Sequence, residues 1–462
     1  MSLHPAFVAS GAASAKPVWC VDADSWPAAH AALPPPARAF AEASGFAPKA
    51  GNFLLLPGED GIASALFACD PPSARGRDSL LPGKLATLLP EGVWRLSLAP
   101  ADIRLAALAF ALGGYRFARY RAEEKNKAPR LALPPDVDGA ELSRIVEAVF
   151  FVRDLINTPA NDLGPAEIEE AARGLARRFG ADLRSVVGDD LLKENFPLVH
   201  AVGKASTRPP RLIDLRWGEA KHPKLALVGK GVVFDTGGLD IKPSTAMLLM
   251  KKDMGGAASA LGLASLIMEA KLPVQLRVVI PAVENAVSGN AMRPGDVFKS
   301  RKGATVEIGN TDAEGRLILA DALALADEEA PDLIVDFSTL TGAARVALGP
   351  ELPAAFTDDD KLAAELAVFA AREADPFWRL PLWRPYQSML DSKIADTNNV
   401  SSGAFAGAIT AALFLSRFVE RAKSWLHFDL FAWNPSAKPA RPEGGEAQTI
   451  RALYALFKER FR

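Results

Sequence analysis

A chain of 462 residues with 49% hydrophobic and 23% charged residues has the composition of a globular protein with a substantial core, long enough for two or three domains. The formal net charge of -2 gives no chain-wide attraction to nucleic acid or to an anionic membrane, so neither is expected as a partner. Cys20 and Cys69, the two cysteines, are far apart in sequence; they offer neither a disulfide framework nor a cysteine metal cluster, which fits a reducing cytoplasm. No apolar run is long enough to span a bilayer.

Residues 1–15 carry Ala13-Ser14-Ala15, in the manner of a signal cleavage site. No Lys or Arg precedes the apolar part and His4-Pro5 interrupts it, so the stretch is read as a loose N-terminal segment. Residues 17–21, 53–56, 65–69 and 93–98 read as strands, and 101–118 as an apolar, Ala-rich helix. They predict a small α/β domain over residues 1–122 with no cluster of catalytic residue types. Residues 123–160 read as a linker and connecting helix. The run Glu123-Glu124-Lys125-Asn126-Lys127 is taken as a solvated linker face, and Pro134-Pro135 follows it. The helix carries Leu142, Ile145, Val146, Val149, Val152 and Ile156 at helical spacing and ends before Pro159. From residue 161 to 462 strands alternate with helices. Residues 212–215, 225–228, 274–280 and 333–337 are buried-strand candidates, and 165–179, 257–269, 317–328 and 404–419 are helix candidates. The fold class is α/β: a small N-terminal α/β domain plus a larger C-terminal domain with a mixed, mostly parallel sheet flanked by helices.

The densest chemistry lies in Asn310-Thr311-Asp312-Ala313-Glu314-Gly315-Arg316-Leu317, between strand-like residues 304–309 and the helix from 317. On an extended backbone Asp312, Glu314 and Arg316 would share one side, at a strand-to-helix turn of the kind where α/β sheets place ligands. Taken alone the stretch fits equally a solvated turn with a local ion pair. Upstream, Gly229-Lys230-Gly231 leads into Asp235-Thr236-Gly237-Gly238, then Lys242-Pro243, then Lys252-Asp253-Met254-Gly255-Gly256 at the start of a helix. Lys224 and Gly231 stand where a phosphate loop would need Gly and Ser or Thr, so this is not one. Singly, Lys230 and Lys242 pass as surface lysines, Asp235 as a turn residue and Asp253 as a helix cap. Together Asp235, Asp253, Asp312 and Glu314 would roughly neutralise two dications, and carboxylates suit hard or borderline divalent ions. A two-metal centre of that kind activates a water for hydrolysis.

These motifs, with Ile241-Lys242-Pro243-Ser244, Arg293-Pro294-Gly295-Asp296, Thr339-Leu340-Thr341-Gly342-Ala343 and Asn157-Thr158-Pro159-Ala160-Asn161, resemble in order and spacing the leucyl aminopeptidase family over roughly residues 140–435. The resemblance implies a metal-dependent aminopeptidase that releases N-terminal, preferably apolar, leucine-like residues from peptides by a two-metal-activated water. It implies that Lys230, Asp235, Asp253, Asp312 and Glu314 hold two divalent ions (Zn²⁺ and/or Mn²⁺), with Asp235 and Glu314 bridging. Lys230 would then have to be a neutral amine, a form that nearby dications favour. Lys242 would polarise the scissile carbonyl, and Arg316 would hold bicarbonate. Met250, Thr339, Leu340 and Gly342 would line the pocket for the first side chain. The family also implies a cytoplasmic homo-hexamer. The chain departs from the commoner family pattern at Ser401-Ser402-Gly403 and at Phe431-Ala432-Trp433. His427, in the apolar run 425–430, is read as a hydrogen-bonded core histidine rather than a base.

Overall fold

The computed structural model describes residues 2–98, 100–121 and 128–462. The chain divides into two compact units, Met1–Phe150 with Ser436–Glu443, and Phe151–Pro435 with Gly444–Arg462.

In the first unit, strands β1 (Phe7–Val8), β2 (Lys16–Val21), β3 (Phe53–Gly58), β4 (Gly61–Ala68), β5 (Gly92–Leu98) and β6 (Pro129–Ala132) form one sheet in the order β1-β6-β5-β2-β4-β3. All neighbours are parallel except β3 and β4. Helices α1 (Trp26–Ala32), α2 (Pro35–Ala43), α3 (Leu85–Leu88) and α4 (Ile103–Gly113) complete it. The four expected strands are present. The expected helix over 101–118 stops at Gly113, where a Cβ would fall 2.2 Å from Gly83 O; the backbone is packed too closely there for any other residue. Two expectations are corrected. Residues 1–15 are not loose throughout, since Phe7 and Val8 pair with Leu131 and Ala132. Residues 129–132, placed in the linker, are a strand of this sheet; four residues beside two prolines carry too little periodicity to announce one. The run Glu123–Lys127 lies outside the described residues. Cys20 and Cys69 are free, buried and hydrogen-bonded to each other, because parallel pairing of β2 with β4 cancels their distance in sequence.

The second unit takes in the C-terminal end of α5 (Gly139–Asn157) and then runs through α6 (Pro165–Phe179), β7 (Asp182–Val187), α7 (Asp190–Lys193), α8 (Pro197–Gly203), β8 (Arg211–Trp217), β9 (Lys224–Gly229), β10 (Gly231–Asp235), α9 (Ser244–Met247), α10 (Gly255–Glu269) and β11 (Gln275–Asn285). There follow β12 (Val297–Lys299), β13 (Thr305–Glu307), α11 (Glu314–Asp327), β14 (Leu333–Ser338), α12 (Gly342–Leu348), β15 (Ala354–Phe356), α13 (Asp360–Arg372), β16 (Trp378–Arg379), β17 (Thr397–Asn398), α14 (Gly407–Ser416), β18 (Trp425–Asp429) and α15 (Ile450–Arg460). The main sheet has the order β16-β15-β18-β14-β9-β11-β8-β7, with β10 also on β11. Its centre, from β18 through β14 and β9 to β11, is parallel, and antiparallel pairs flank it.

The central strands are buried on both faces, as their unbroken apolar runs require. On one side Ala226 and Val228 of β9 join a core with α8, α11 and α14, including Leu198, Leu317, Ile318, Leu413 and Phe414. Gly229, of the opposite parity, meets α10, where a Cβ would fall 2.7 Å from Ala257 Cα. α10 is Ala- and Gly-rich because it must lie this close: a Cβ on Gly256 would stand 2.2 Å from Phe337 O. Among the described residues no helix is long and apolar enough to cross a membrane.

Candidate active site

The site gathers at the carboxyl ends of the parallel strands, where an α/β sheet opens a crevice. β11 is long enough to pair first with β9 and then with β10, so the chain changes course at Lys230 between those two strands. The Lys230 backbone is fixed from both sides: its N–H donates to Phe337 O at 2.9 Å and its carbonyl accepts from Ala257 N at 2.8 Å. Its side chain runs along Gly315, where a Cβ would lie 2.7 Å from Nζ.

Asp235 ends β10 and accepts hydrogen bonds from Gly237 N and Asn285 Nδ2, each at 2.9 Å. Asn285 Nδ2 also donates to Thr311 O at 3.1 Å, tying β11 to the Asn310–Arg316 turn. Gly237, at φ +89°, lets the chain double back so that Thr311 Oγ1 donates to Gly237 O at 2.6 Å. Asp253 lies in the short 3-10 turn Met250–Met254 ahead of α10 and is not its cap; it accepts from Thr339 Oγ1 at 2.6 Å.

The carboxylates of Asp235, Asp312 and Glu314 converge, with one oxygen from each within 4.8 Å of the others. Lys230 Nζ lies 2.8 Å from Asp253 Oδ2 and 2.9 Å from Glu314 Oε1, and joins Asp253 to this group. Lys242 Nζ lies 2.8 Å from Asp235 Oδ2 and is also ion-paired with Asp312. Six expected residues, Lys230, Asp235, Lys242, Asp253, Asp312 and Glu314, therefore form one network. Lys230, Asp235, Asp253 and Glu314 are buried, whereas Asp312 and Lys242 are half-buried.

Arg316 departs from the expected extended geometry. Glu314 opens α11, so Glu314 and Arg316 are two residues apart on a helix, about 200° around its axis, and cannot share a side. The Arg316 guanidinium donates from Nη1 to Asn399 O at 2.6 Å and makes no ion pair with Asp312 or Glu314. Its Nε is buried without a hydrogen bond. Asn399 also holds the turn itself, accepting from Gly309 N at 2.8 Å and donating to Asn310 O at 2.8 Å. Thr339, Leu340 and Gly342 follow β14 in sequence. Asp429, at the end of β18, accepts from Leu340 N at 2.9 Å and from Thr341 Oγ1 at 2.6 Å. Met250 begins the turn that carries Asp253 and is half-buried.

Four carboxylates face two ammonium groups in this network, and the protonation tendencies record the deficit of positive charge. Burial, then repulsion from Asp235, pushes Glu314 up to about 8 against the pull of Lys230. The same two causes raise Asp312 to about 6 against the pull of Lys242. Burial opposes charge on Lys230 and Lys242, but the surrounding carboxylates more than compensate and hold both amines above the ordinary lysine range. Glu314 Oε1 has the Lys230 ammonium as its neighbour, while Oε2 is buried with no hydrogen bond. A carboxylate cluster short of positive charge, with a buried carboxylate oxygen unsatisfied, suits divalent cations.

Sequence reasoning passed over Asn285, Thr311, Asn399 and Asp429 as positioning groups. Their one sequence signal is that Asn, Thr and Asp stand at strand ends beside the motifs.

His427 is fully buried on β18. Its Nδ1 lies 2.6 Å from Asp336 Oδ1, and its ring stacks between Phe356 and Trp425. It is the core histidine expected. Burial disfavours its charge, but the Asp336 carboxylate outweighs burial and raises it above the ordinary histidine value.

Residues 150–454 match the catalytic domain of the cytosol aminopeptidase family, and residues 17–134 match the M17 aminopeptidase N-terminal domain. Peptidase B from Pectobacterium carotovorum subsp. carotovorum is 44% identical over 73% of this chain and 80% of its own length. A probable cytosol aminopeptidase from Syntrophotalea carbinolica is 40% identical over 79% of this chain and 78% of its own. The crystal structure of a cytosol aminopeptidase from Coxiella burnetii superposes with a TM-score of 0.94 at 45% identity, covering 99% of this chain and 100% of that one. The bottromycin maturation enzyme BotP, solved in complex with Mn, superposes with a TM-score of 0.87 at 33% identity, covering 98% of this chain and 100% of that one. With an α/β catalytic unit of this topology and matches of this extent, the chain belongs to the cytosol aminopeptidase family.

Proposed function

We propose that the site removes N-terminal residues from peptides with the help of two divalent cations, Zn²⁺ and/or Mn²⁺, held by Lys230, Asp235, Asp253, Asp312 and Glu314. The observation that carries this reading is the convergence of the Asp235, Asp312 and Glu314 carboxylates within 4.8 Å, with two lysines as their counter-charges. The solved complex of BotP with Mn is consistent with it. When bound, such ions lower the pKa of a water and withdraw electrons from the carbonyl it attacks.

The chain's own residues do the rest. Asp235 and Glu314 would each help to hold both ions. Lys230 can act as a ligand only after giving up its proton, which approaching dications favour. Carboxylates engaged by cations no longer need Lys242, whose ammonium is then free to donate to the scissile carbonyl oxygen and to steady the charge that grows there. Arg316, buried and with Nε unsatisfied, is assigned the anion, bicarbonate, that receives the proton of the attacking water.

Met250, Thr339, Leu340 and Gly342 are assigned to the pocket for the first side chain. The apolar Met250 and Leu340 suit leucine-like residues there. Likeness to the family supports a homo-hexamer and a cytoplasmic location.

The test is removal of metal by a chelator, re-addition of Zn²⁺ or Mn²⁺, and assay on a leucine anilide. Activity should vanish and return. Full activity in protein shown to be metal-free, or wild-type activity in Asp312→Ala, overturns the proposal.

A further inference from the structure

We propose that Asp240 is a positioning residue: clamped to Thr311, it fixes the loop that carries Lys242 and so sets where that ammonium stands when the scissile carbonyl arrives. The inference rests on the aminopeptidase reading above and on the role given there to Lys242. Asp240 acts through that lysine and is assigned no contact with metal or substrate.

Asp235 and Lys242 stand at the two ends of one loop. The loop closes on itself where Lys242 N donates to Thr236 O at 2.9 Å. Gly237 and Gly238, at φ +89° and +65°, turn the chain back between those ends. Leu239 and Ile241 are 41% and 62% exposed, so their side chains bury too little to hold the loop by packing. Asp240, between them, is half-buried and turns toward the fully buried Thr311. Its Oδ2 accepts from Thr311 N at 2.7 Å, and its own N–H donates to Thr311 Oγ1 at 2.8 Å. The Thr311 hydroxyl spends its proton on Gly237 O at 2.6 Å. Each partner of the clamp therefore both donates and accepts.

The clamp joins two pieces of the site that lie 71 residues apart in sequence. Lys242 comes just after Asp240 on one piece, and Asp312 just after Thr311 on the other. Lys242 Nζ is ion-paired with both Asp235 and Asp312. Once those carboxylates engage cations, the ammonium loses the partners that hold it in place. A lysine head on its flexible stem is then aimed only by the backbone it springs from. Pro243 restricts Lys242 from one side, and the Asp240–Thr311 clamp fixes the loop on the other. The bond from the Thr311 amide to the Asp240 carboxylate is charge-assisted and stronger than a neutral acceptor would make it. Asp240 could serve Asp312 and its cation instead of Lys242, and the experiment separates the two routes.

Leucine-anilide kinetics, metal content and thermal melts are measured for the metal-loaded full-length enzyme and for Asp240→Ala, Asp240→Asn and Thr311→Val, and for Asp240→Ala combined with Lys242→Ala. Asp240→Ala should lower kcat by about 30-fold with KM within about threefold, because the ammonium acts on charge that appears only in the transition state. Its metal content should match the parent's. Thr311→Val cuts the clamp from the other side and should give the same pattern, so the test stands even where Asp240→Ala does not fold. Asp240→Asn keeps an oxygen for the Thr311 amide and should recover kcat to within about fivefold of the parent. In the Lys242→Ala background Asp240→Ala should cost less than about threefold more, since nothing is left to position. A lowered Tm with kcat unchanged in both clamp variants overturns the proposal, because the clamp would then be structural only. Loss of metal in step with loss of rate also overturns it, since Asp240 would be acting through Asp312. A full, additive loss in the Lys242→Ala background does the same. Wild-type activity in Lys242→Ala sinks the role given to Lys242 and this inference with it, whereas a parent inactive on the leucine anilide sinks the aminopeptidase reading itself.

Discussion

Gly315 stands directly against Lys230: a Cβ at position 315 would fall 2.6 Å from the lysine Cε and 2.7 Å from Nζ. Gly315→Ala must therefore push the lysine away from Asp253 and Glu314. Overpacking of this kind costs ~1–3 kcal/mol in stability, but the larger effect should fall on the site. Leucine-anilide kcat/KM should drop by roughly 100-fold, with less metal retained after dialysis. Wild-type metal content and rate in the variant would show that the close approach is without consequence.

Removal of metal should leave the chain folded. Lys230 and Lys242 already pair with the carboxylates, so the network does not depend on ions for all its counter-charge. Chelated protein should keep its far-UV circular dichroism and a cooperative melt while losing activity. A chelated protein that loses tertiary structure would contradict this.

That metal-free protein should weaken as pH rises from about 5 to about 8. Glu314 titrates at about 8 in the fold against an ordinary 4.5, and Asp312 at about 6 against 3.8. Both groups favour folding most below their ordinary values, and the contribution fades as pH climbs through the folded ones. Asp321, raised to about 7 by burial, acts in the same direction, so the site is isolated by comparison with Glu314→Gln. The variant should show a flatter dependence of Tm on pH than the parent. Superimposable curves would mean that Glu314 is not the group responsible.

His427→Ala should destabilise by about 3–5 kcal/mol, since it leaves the buried Asp336 carboxylate without its ionic partner. What remains folded should keep the parent's pH–rate profile. A selective loss of the basic limb would make His427 a base after all.

The metal-binding candidates were legible in the sequence because glycines, lysines and carboxylates recur at strand ends, a combination that a solvated loop has little reason to keep. The central strands of the main sheet announced themselves as apolar runs for the same reason that they are buried on both faces, whereas β7, β10, β15 and β16 gave no such run and were not read. The groups that aim the candidates were not legible. Asn399 holds Asn310 from 89 residues away and Asn285 holds Asp235 from 50, and nothing local in an asparagine says which loop it will brace. Arg316 was misplaced by one structural boundary: α11 starts at Glu314 rather than at Leu317, and the change of period from two to 3.6 turns the guanidinium to another side.

The start of α11 at Glu314 has an electrical consequence. Ala313 precedes it without a side-chain cap, so no side-chain cap bond shields the first-turn amides. Aligned peptide dipoles give that end of a helix roughly half a positive charge, worth ~0.3–1 kcal/mol to a nearby anion and up to ~2 kcal/mol when partly buried. Glu314 sits in this field permanently. The backbone thus supplies beside the carboxylate cluster a fractional positive charge that cannot dissociate.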